Sequence, residues 1–513
     1  MDVPCRPGGP ADMNTSVVLR LEGITKRFGA LTANDDVTLD LRQGELLALL
    51  GENGAGKTTL MNILFGHYTA DSGRVIAFGK ALPPGRPRAA IEAGIGMVHQ
   101  HFALAANLTV LENVIAGTRP LASLGLRAGM ARAKLAELSR RFGLAVHPDA
   151  RISDLSVGER QRVEILKSLY RDARILILDE PTAVLTHQEA EQLYRTLRGM
   201  AELGLSIIFI SHKLNEVLAA ADRIMVLRGG KMVAERAAAA TDKDELAELM
   251  VGRRVARPHR ESQAPGAVAL AAHAVDVGSK LRGLTFEVRA GETLGIIGVS
   301  GNGQHTLVRL VCGLERPTGG RLELHGAPAS DPSPRGFVAA GVGRIPEDRN
   351  ADGVVGEMAV WENAVLERVR EPRFSVGGLV RRAQGRAFAR AVIERFDVRG
   401  GGADSPIRLL SGGNMQKLIL GRNLSERPRI LIAAQPTRGL DEGAVAGVHG
   451  EILAARRQGT AVLLVSEDLD EILALADRVQ AIVKGGLSPP IPVAKADPRR
   501  LGLMMAGDWE GAR

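Results

Sequence analysis

One segment constrains the fold of this chain more than any other feature of its sequence. Residues 51–58 read Gly-Glu-Asn-Gly-Ala-Gly-Lys-Thr and satisfy every fixed position of the phosphate-loop pattern G-x-x-x-x-G-K-[ST]. The mostly apolar run 45–50 before it predicts a buried strand, and residues 59–64 after it predict the start of a helix. A glycine-rich turn with a chance lysine is the alternative interpretation, and this strand–loop–helix order argues against it.

The residue types of this segment suit a phosphate group. Glycines let backbone N–H groups turn inward around phosphate oxygens, and the start of the following helix adds the positive end of its dipole. Lys57 can reach the β- and γ-phosphates of a nucleotide, and the hydroxyl of Thr58 can bind Mg²⁺. The predicted phosphate contacts are Gly51, Glu52, Asn53, Gly54, Ala55, Gly56, Lys57, Thr58 and Thr59.

Composition limits the classes of function. The formal net charge of +8 would suit nucleic acid or an anionic membrane surface. Aromatic residues make up only 3% of the chain, so platforms for stacked bases are scarce and a solvated basic surface is the preferred interpretation. Cys5 and Cys312 form no disulfide framework, which predicts a reducing cytoplasm. No apolar run reaches about 18 residues, so we expect no segment of this chain to span a membrane.

The second half of the chain repeats the first. Gly298 matches Gly51 at an offset of 247 residues, and the segment 410–416 repeats 155–161 at an offset of 255. Ordered landmarks at two fixed offsets indicate two copies of one domain. The change from 247 to 255 predicts a net insertion of eight residues in the helical region of the second half.

Two segments lack the pattern of a folded core. Residues 1–14 hold prolines and glycines without the apolar stretch of a secretory signal, so we expect residues 1–16 to be a disordered lead-in, with Met13 as an alternative start. Residues 253–266 are charged, polar and marked by prolines, and we interpret them as the linker between the halves.

Two further runs predict strands of a parallel sheet. Residues 175–178 and 206–210 are largely apolar without alternation, which suits strands buried on both faces. Asp179 and Glu180 follow directly on the first of these runs. Adjacent carboxylates in a random loop are usually only solvated, but here they end a buried strand in register with a phosphate loop, which favours a functional role.

The landmarks occur in both halves in one order. The first half carries the phosphate loop, Gln100, the signature Leu-Ser-x-Gly-x-x-Gln at 155–161, the carboxylate-ended strand and His212. In this order the chain resembles a tandem ATP-binding-cassette (ABC) ATPase, from about residue 17 to the C-terminus. The resemblance implies an α/β fold of two tandem phosphate-loop NTPase cassettes. Each would have a mostly parallel sheet core, a helical subdomain and an antiparallel β subdomain, at residues 17–252 and 267–510.

A closer resemblance is to the double-cassette ATPases of bacterial sugar and nucleoside importers. It is carried by the altered second phosphate loop at 298–304, by Pro-Glu-Asp-Arg at 346–349 and by the segment 433–441. The segments 98–102 and 108–113 look more like nucleoside importers of the basic-membrane-protein type than like the ribose and galactose branches.

The resemblance assigns roles in the first cassette. Lys57 would hold phosphate, Glu180 would be the general base that polarises the attacking water, and His212 would sense the γ-phosphate. Thr58, Gln100 and Asp179 would hold Mg²⁺, and Gln100 would also report the nucleotide state to the membrane subunit. Phe28 could stack on adenine, although a core phenylalanine is the alternative interpretation.

The signatures would act across the two cassettes. In this family the signature of one cassette closes over the phosphate loop of the other, so the first loop would meet Ser411, Gly412, Gly413 and Gln416. The second loop would meet the segment 156–158, in which Val157 replaces a glycine.

The second nucleotide site has lost its chemistry. Substitutions occur at five positions that match catalytic groups of the first: Gln304, His305, Ala434, Gln435 and Glu467. Val275 aligns with Phe28, so the adenine platform is missing as well. The glycines remain, which leaves weak nucleotide binding open.

The resemblance implies an ATP- and Mg²⁺-dependent ATPase that energises a nucleoside importer from the cytoplasmic face of the inner membrane. Its expected partners are two membrane permease subunits and, through them, an extracytoplasmic solute-binding protein, with no nucleic acid and no direct membrane span. Phe102, Leu104 and Leu108, apolar residues between Gln100 and Asn113, predict a docking surface for the permease, with packing into the core of the cassette as the alternative. A sugar importer ATPase, a soluble tandem cassette acting on ribosomes or nucleic acid, and a scaffold that does not hydrolyse ATP are the alternatives. The sequence does not name the solute.

Overall fold

A computed structural model describes residues 16–29, 31–99, 102–118, 128–182, 185, 187–211, 213–254 and 258–509. The chain forms two compact units, residues 1–255 and 256–513. Each unit has its own sheets and its own hydrophobic cores, and they are called the first and second cassettes below.

The first cassette combines two sheets with a set of helices. Its strands are β1 (Val17–Phe28), β2 (Leu31–Arg42), β3 (Leu46–Leu50), β4 (Ser72–Ala77), β5 (Lys80–Ala81), β6 (Ile95–Val98), β7 (Ile175–Asp179), β8 (Ser206–Ile210), β9 (Arg223–Arg228) and β10 (Lys231–Ala237). Its helices are α1 (Lys57–Phe65), α2 (Pro87–Glu92), α3 (Val110–Ile115), α4 (Ala128–Phe142), α5 (Val157–Tyr170), α6 (His187–Glu202), α7 (Leu214–Ala220) and α8 (Lys243–Val251).

The larger sheet has the order β10-β9-β3-β8-β7-β6 and is parallel except for β10. In its register Ala48 of β3 lies between Phe209 of β8 and Ile224 of β9. The smaller sheet, β2-β1-β4-β5, is antiparallel.

The strands of the larger sheet are apolar throughout because both of their faces are covered. In β3, Leu46, Ala48 and Leu50 face one core, which includes α5 and α6, while Leu47 and Leu49 face another, shared with α1 and the antiparallel sheet. Successive side chains of a strand point to opposite faces, so a strand between two cores needs an apolar residue at every position. This confirms the buried strands predicted from the sequence.

The helical subdomain of the first cassette is formed by α3, α4 and α5, which contact one another. Thr109 and Glu112 form a capping box at the start of α3. Buried Asn113 fixes the preceding loop: its Nδ2 donates to the carbonyl oxygens of Ala105 and Thr109 at 3.1 and 3.0 Å.

The second cassette repeats this architecture. Its strands are β11 (Val268–Val277), β12 (Leu281–Arg289), β13 (Thr293–Ile297), β14 (Gly319–Leu324), β15 (Ala327–Pro328), β16 (Val342–Ile345), β17 (Ser375–Val376), β18 (Leu379–Val380), β19 (Ile430–Ala434), β20 (Ala461–Val465), β21 (Arg478–Val483), β22 (Gly486–Leu487) and β23 (Ile491–Pro492). Its helices are α9 (Gln304–Val311), α10 (Pro334–Ala339), α11 (Val360–Val365), α12 (Arg382–Arg395), α13 (Gly412–Leu424), α14 (Glu442–Arg457), α15 (Leu469–Leu475) and α16 (Pro498–Met505).

The mixed sheet of the second cassette has the order β16-β19-β20-β13-β21-β22, with β23 also paired to β21. Strands β16 to β21 of that order are parallel, and β12-β11-β14-β15 form the antiparallel sheet. Two cassettes of one α/β architecture confirm the predicted fold class.

The predicted insertion in the second cassette has two parts. Asn363 Nδ2 donates a hydrogen bond to a carbonyl oxygen of the preceding loop, as Asn113 Nδ2 does in the first cassette. The two asparagines lie 250 residues apart (363 minus 113). Three of the eight extra residues therefore fall before α11, in the segment that follows Glu347. The other five fall between α11 and the signature, where β17 and β18 form a hairpin.

The described part of the predicted linker, residues 258–266, is attached to the second cassette. Arg260 pairs with Asp477 at 2.7 Å, and Arg456 donates to the carbonyl oxygen of Glu261 at 3.0 Å. Within the described ranges of the chain, no helix combines the length and the apolar character that crossing a membrane requires.

Candidate functional site

The phosphate loop of the first cassette lies between β3 and α1, as the sequence predicts. A Cβ on Gly56, whose φ is 100°, would lie 2.1 Å from the carbonyl oxygen of Ala33. A Cβ on Gly51 would lie 2.3 Å from the carbonyl oxygen of Leu227. Both positions therefore accept only glycine, and the loop is held against neighbouring backbone. Gly56 is also the N-cap of α1 and offers no side-chain cap to the first amides of the helix.

Lys57 lies in this loop with its side chain folded back. It is 6% exposed, and its Nζ donates to the carbonyl oxygens of Gly51 and Glu52 at 2.7 and 2.9 Å. The ammonium group thus fixes the loop and places a positive charge under it. This charge acts on Asp179, whose carboxylate it stabilises.

Asp179 and Glu180 mark the end of β7. Asp179 is the last residue of that buried strand. Burial and the charge of Glu180 raise the pKa of Asp179, against the lowering effects of Lys57 and His99. Glu180 has a left-handed backbone with φ of 47°, and its N–H donates to the carbonyl oxygen of Ile210 on β8 at 3.1 Å. This geometry turns the chain sharply immediately after the strand.

The structure thus brings together Lys57, Asp179 and Glu180 at the carboxyl end of the parallel sheet. Thr58 follows Lys57 as the second residue of α1 and is exposed. One carboxylate and one hydroxyl beside a phosphate loop form the oxygen donor set that Mg²⁺ uses together with nucleotide phosphates. The residues present therefore fit a magnesium ion. Gln100 and His212, also predicted for this site, lie outside the described residues.

Two histidines near this site were not predicted from the sequence. The rings of His67 and His99 stack with their centroids 5.6 Å apart, and His99 acts electrostatically on Asp179. Burial and the neighbouring His99 lower the pKa of His67. His99 directly precedes Gln100 in the sequence, which was the one available signal.

Phe28 is not a core phenylalanine. Its side chain is 44% exposed, next to Tyr68, which is 43% exposed. The two rings meet edge to face with centroids 5.7 Å apart, and Lys26 Nζ lies 5.4 Å from the centroid of Phe28. An exposed, oriented aromatic pair offers a face for stacking, whereas Val275 at the matching position is fully buried.

A buried polar network supports the segment after Glu180. Thr182 Oγ1 and the hydroxyl of Tyr194 both donate to Glu216 Oε2, at 2.6 and 3.0 Å. Burial and the charge of Glu216 raise the pKa of Tyr194 well above 10.0. In the second cassette Thr437 and His449 contact Glu471 in the same way. The spacing of these residues gave no sequence signal.

The two signature segments differ at the start of their helices. Ser156 caps α5 in a capping box with Glu159, so a carboxylate faces the positive end of that helix. The matching position in α13 holds Asn414, whose Nδ2 donates to Ser411 Oγ at 2.8 Å. The first turn of α13 holds no acidic residue, so the positive end of this helix suits an anion.

Gln416 anchors the second signature segment from within. Its Nε2 donates to the carbonyl oxygen of Pro436 at 2.7 Å, and its side chain is buried. It lies under the start of α13 and links that helix to the segment after β19.

The second phosphate loop has a contact like that of the first, but a neutral glutamine makes it in place of the charged lysine. Gln304 Nε2 donates to the carbonyl oxygen of Val299 at 2.8 Å, as Lys57 does to that of Glu52. A cavity of about 580 Å³ opens over the loop, lined in part by Gln304, Gln435 and Glu467. Burial raises the pKa of Glu467, and the charge of Glu347 adds to this.

The chain is similar in sequence to a known family and to several known proteins. The ABC transporter family matches residues 34–183 and 281–438, once in each cassette. The chain is 44% identical to the nucleoside import ATP-binding protein NupA of Lactococcus lactis, covering 96% of this chain and 99% of that protein. It is 43% identical to the glucose import ATP-binding protein TsgD13 of Haloferax volcanii, over 96% of both chains. It is 42% identical to the guanosine import ATP-binding protein NupO of Bacillus subtilis, over 96% of this chain and 98% of that one.

Proposed function

This chain belongs to the ABC transporter family, and on that premise we propose that it is the ATP-hydrolysing subunit that energises a nucleoside importer. The observation that carries the catalytic part is the grouping of Lys57, Asp179 and Glu180 at one end of the parallel sheet. They lie beside a loop in which Gly51 and Gly56 leave no room for a side chain. The substitution of the matching groups in the second cassette makes the first cassette the working site.

Glu180 is the proposed general base. Its carboxylate takes the proton of a water molecule whose oxygen attacks the γ-phosphorus of ATP. The bond between the γ-phosphorus and the bridging oxygen breaks, and ADP and phosphate leave. General-base catalysis of this kind contributes roughly 10²- to 10⁴-fold. His212 is proposed to hold the γ-phosphate and the water.

Lys57 and the loop amides hold the phosphates in place. The Nζ of Lys57 is bound to two loop carbonyls and is already fixed before ATP arrives. A preorganised positive charge stabilises developing negative charge without reorganising at the moment of reaction. Thr58, Asp179 and Gln100 would hold Mg²⁺, which supplies charge neutralisation to the phosphates when bound. Phe28 is proposed to stack on adenine.

The site is completed by the signature of the second cassette. Ser411, Gly412, Gly413 and Gln416 are proposed to close over the γ-phosphate held by the first cassette. Asn414 in α13 stands where α5 has the capping residue Glu159. Because asparagine carries no negative charge, the start of α13 is better suited to a phosphate than the start of α5.

The proposed partners are two membrane permease subunits and, through them, an extracytoplasmic solute-binding protein. The chain would act at the cytoplasmic face of the membrane as a peripheral subunit. The assignment of nucleosides rests on the relatives that import nucleosides and guanosine. A sugar importer is the second candidate, favoured by the similarly related glucose import protein.

An uptake assay tests this proposal. Cells that produce the chain with its permease and solute-binding protein should accumulate labelled nucleoside, and cells with Glu180→Gln at equal protein level should not. Accumulation of ribose or glucose without nucleoside would overturn the solute assignment. Full nucleoside uptake by the Glu180→Gln cells would overturn the energising role.

A further inference from the structure

Arg349 makes an unusual set of contacts in the second cassette. It begins the irregular turn Arg349–Gly353 that follows Glu347, and its Nη1 donates to the carbonyl oxygen of Arg438 at 2.8 Å. Its guanidinium lies against the first residue of α13. A Cβ on Gly412 would be 2.6 Å from Nη2 and 2.9 Å from Cζ of Arg349. The guanidinium therefore fits against α13 only because Gly412 has no side chain.

This position is electrostatically unfavourable for a cation. Burial lowers the pKa of Arg349 and the charge of Arg438 adds to this, against the raising effect of Asp348, and the guanidinium lies near the positive end of α13. Its Nε is buried and has no hydrogen-bond partner among the described residues. A charged group held at such a cost is a candidate for function rather than for stability.

Three segments meet at Arg349. Glu347, at the position that matches Gln100, pairs with Arg438 at 2.7 Å. Asp348 accepts the N–H groups of Asn350 and Ala351 at 2.8 and 3.0 Å, which fixes the turn from which Arg349 extends. Arg349 thus links the segment at Glu347, the segment after β19 and the start of the signature helix.

The sequence of the first cassette lacks the glycine on which this contact depends. Val157 stands where the second cassette has Gly412, and its side chain would occupy the space of the guanidinium. Three of the extra residues of the second cassette fall in the segment that carries Arg349. The contact therefore belongs to the cassette whose signature, under the proposed function, serves the working site.

We propose that Arg349 is a positioning residue, which holds the signature segment Ser411–Gly413 in register with the segments at Glu347 and Arg438. Through that segment it sets the rate of ATP hydrolysis at the first cassette. The proposal rests on the crossed arrangement of the proposed function. A misplacement of about 1 Å at a distance from the chemistry can cost about 100-fold in rate, so loss of Arg349 should lower kcat strongly.

Steady-state ATP hydrolysis by the full-length chain tests this role. Arg349→Met should lower kcat by about tenfold to a hundredfold, with KM and the dissociation constant of a fluorescent ATP analogue unchanged. Arg349→Lys, which keeps the charge but loses the planar fork, should recover part of the rate. Arg399→Met is the control, because Arg399 is 78% exposed in the same cassette, and it should leave kcat unchanged.

A second pair of variants separates this role from simple loss of folding. Asp348→Ala should release the turn that carries Arg349 and lower kcat as Arg349→Ala does. The double variant should be no worse than Arg349→Ala alone, because both changes act through the contact that Arg349 makes. A double variant whose losses multiply would overturn the proposal, and so would wild-type kcat in Arg349→Met.

Ser411→Arg distinguishes failure of this proposal from failure of the crossed arrangement. If Ser411→Arg abolishes hydrolysis while Arg349→Met does not affect it, the role of Arg349 alone is wrong. If both variants hydrolyse ATP at the wild-type rate, the crossed arrangement is wrong and the role of Arg349 falls with it.

Discussion

Glu180 and Gln435 occupy matching positions in the two cassettes and share the same left-handed backbone φ of 47°. The N–H of each donates to the carbonyl oxygen at the end of the neighbouring strand, Ile210 at 3.1 Å and Val465 at 2.8 Å. Left-handed backbone at a non-glycine residue costs on the order of 1–3 kcal/mol. The second cassette has the same backbone geometry without the carboxylate. The turn is therefore a feature of the fold, and the carboxylate is not needed to form it.

Glu180→Gln should therefore leave the turn intact and remove only the base. We expect kcat to fall by roughly 10²- to 10⁴-fold, with ATP binding retained. Steady-state hydrolysis and equilibrium binding of a labelled nucleotide measure the two effects separately. Gln435→Glu is the matched control and should add no activity, because Ala434 and Gln304 leave that site without metal and phosphate support. Hydrolysis at the wild-type rate in Glu180→Gln would remove Glu180 from the role of base.

Asp179→Asn should have opposite effects on stability and on activity. The pKa of Asp179 is raised by burial and by Glu180, so its ionisation opposes folding of the nucleotide-free chain. Below its ordinary pKa of 3.8 the carboxyl group is protonated in both states and this cost is absent. The cost develops as pH rises through the folded-state pKa and is complete above it.

The melting temperature of the nucleotide-free chain at about pH 7 should thus be higher for Asp179→Asn than for the wild type. The gain over the wild type should shrink as the pH is lowered toward 3.8. Mg²⁺-dependent hydrolysis should be lost at the same time. A lower melting temperature with a normal circular dichroism spectrum would mean that the ionised carboxylate is stabilised by the fold.

Phe102→Asp should uncouple transport from ATP binding. Phe102 is half-buried in the segment proposed to dock on the permease, whereas Leu104 packs against the core of the helical side of the cassette. We therefore expect Leu104 to support the fold and Phe102 to serve docking. Phe102→Asp should abolish uptake with normal nucleotide binding, and Leu104→Asp should instead lower the melting temperature. Normal uptake by Phe102→Asp would contradict the docking role.

The signature variants test the crossed arrangement. Ser411→Arg should abolish hydrolysis, because an arginine side chain would fill the start of α13 where the γ-phosphate is proposed to bind. Ser156→Arg should be milder, since α5 is proposed to face the altered second site. Hydrolysis rates that rank the two variants in the reverse order would show that each cassette uses its own signature.

Much of the fold could be predicted from the sequence because its signals are local. The apolar runs of β3, β7 and β8 identified strands buried on both faces, and the glycines around Lys57 identified the loop between strand and helix. The position of the insertion was predicted only in part, because an offset between two landmarks does not show where between them the residues were added.

The contacts of the site were harder to predict because they depend on packing between distant segments. No sequence pattern shows that Lys57 folds back onto the carbonyl oxygens of Gly51 and Glu52, or that Phe28 remains exposed beside Tyr68. The fit of Arg349 over Gly412 joins residues 63 positions apart (412 minus 349) in a turn of irregular geometry. Such pairs become visible only when the chain is folded.

All ATP turnover is proposed to take place at the first cassette. Lys57 and Gln304 make the same loop contact but only Lys57 brings a charge, so a comparison of Lys57→Ala with Gln304→Ala isolates that charge. We expect Lys57→Ala to lower the steady-state rate of ATP hydrolysis by about 100-fold or more, and Gln304→Ala to leave it close to the wild-type rate. Equal losses in the two variants would contradict turnover at the first cassette alone.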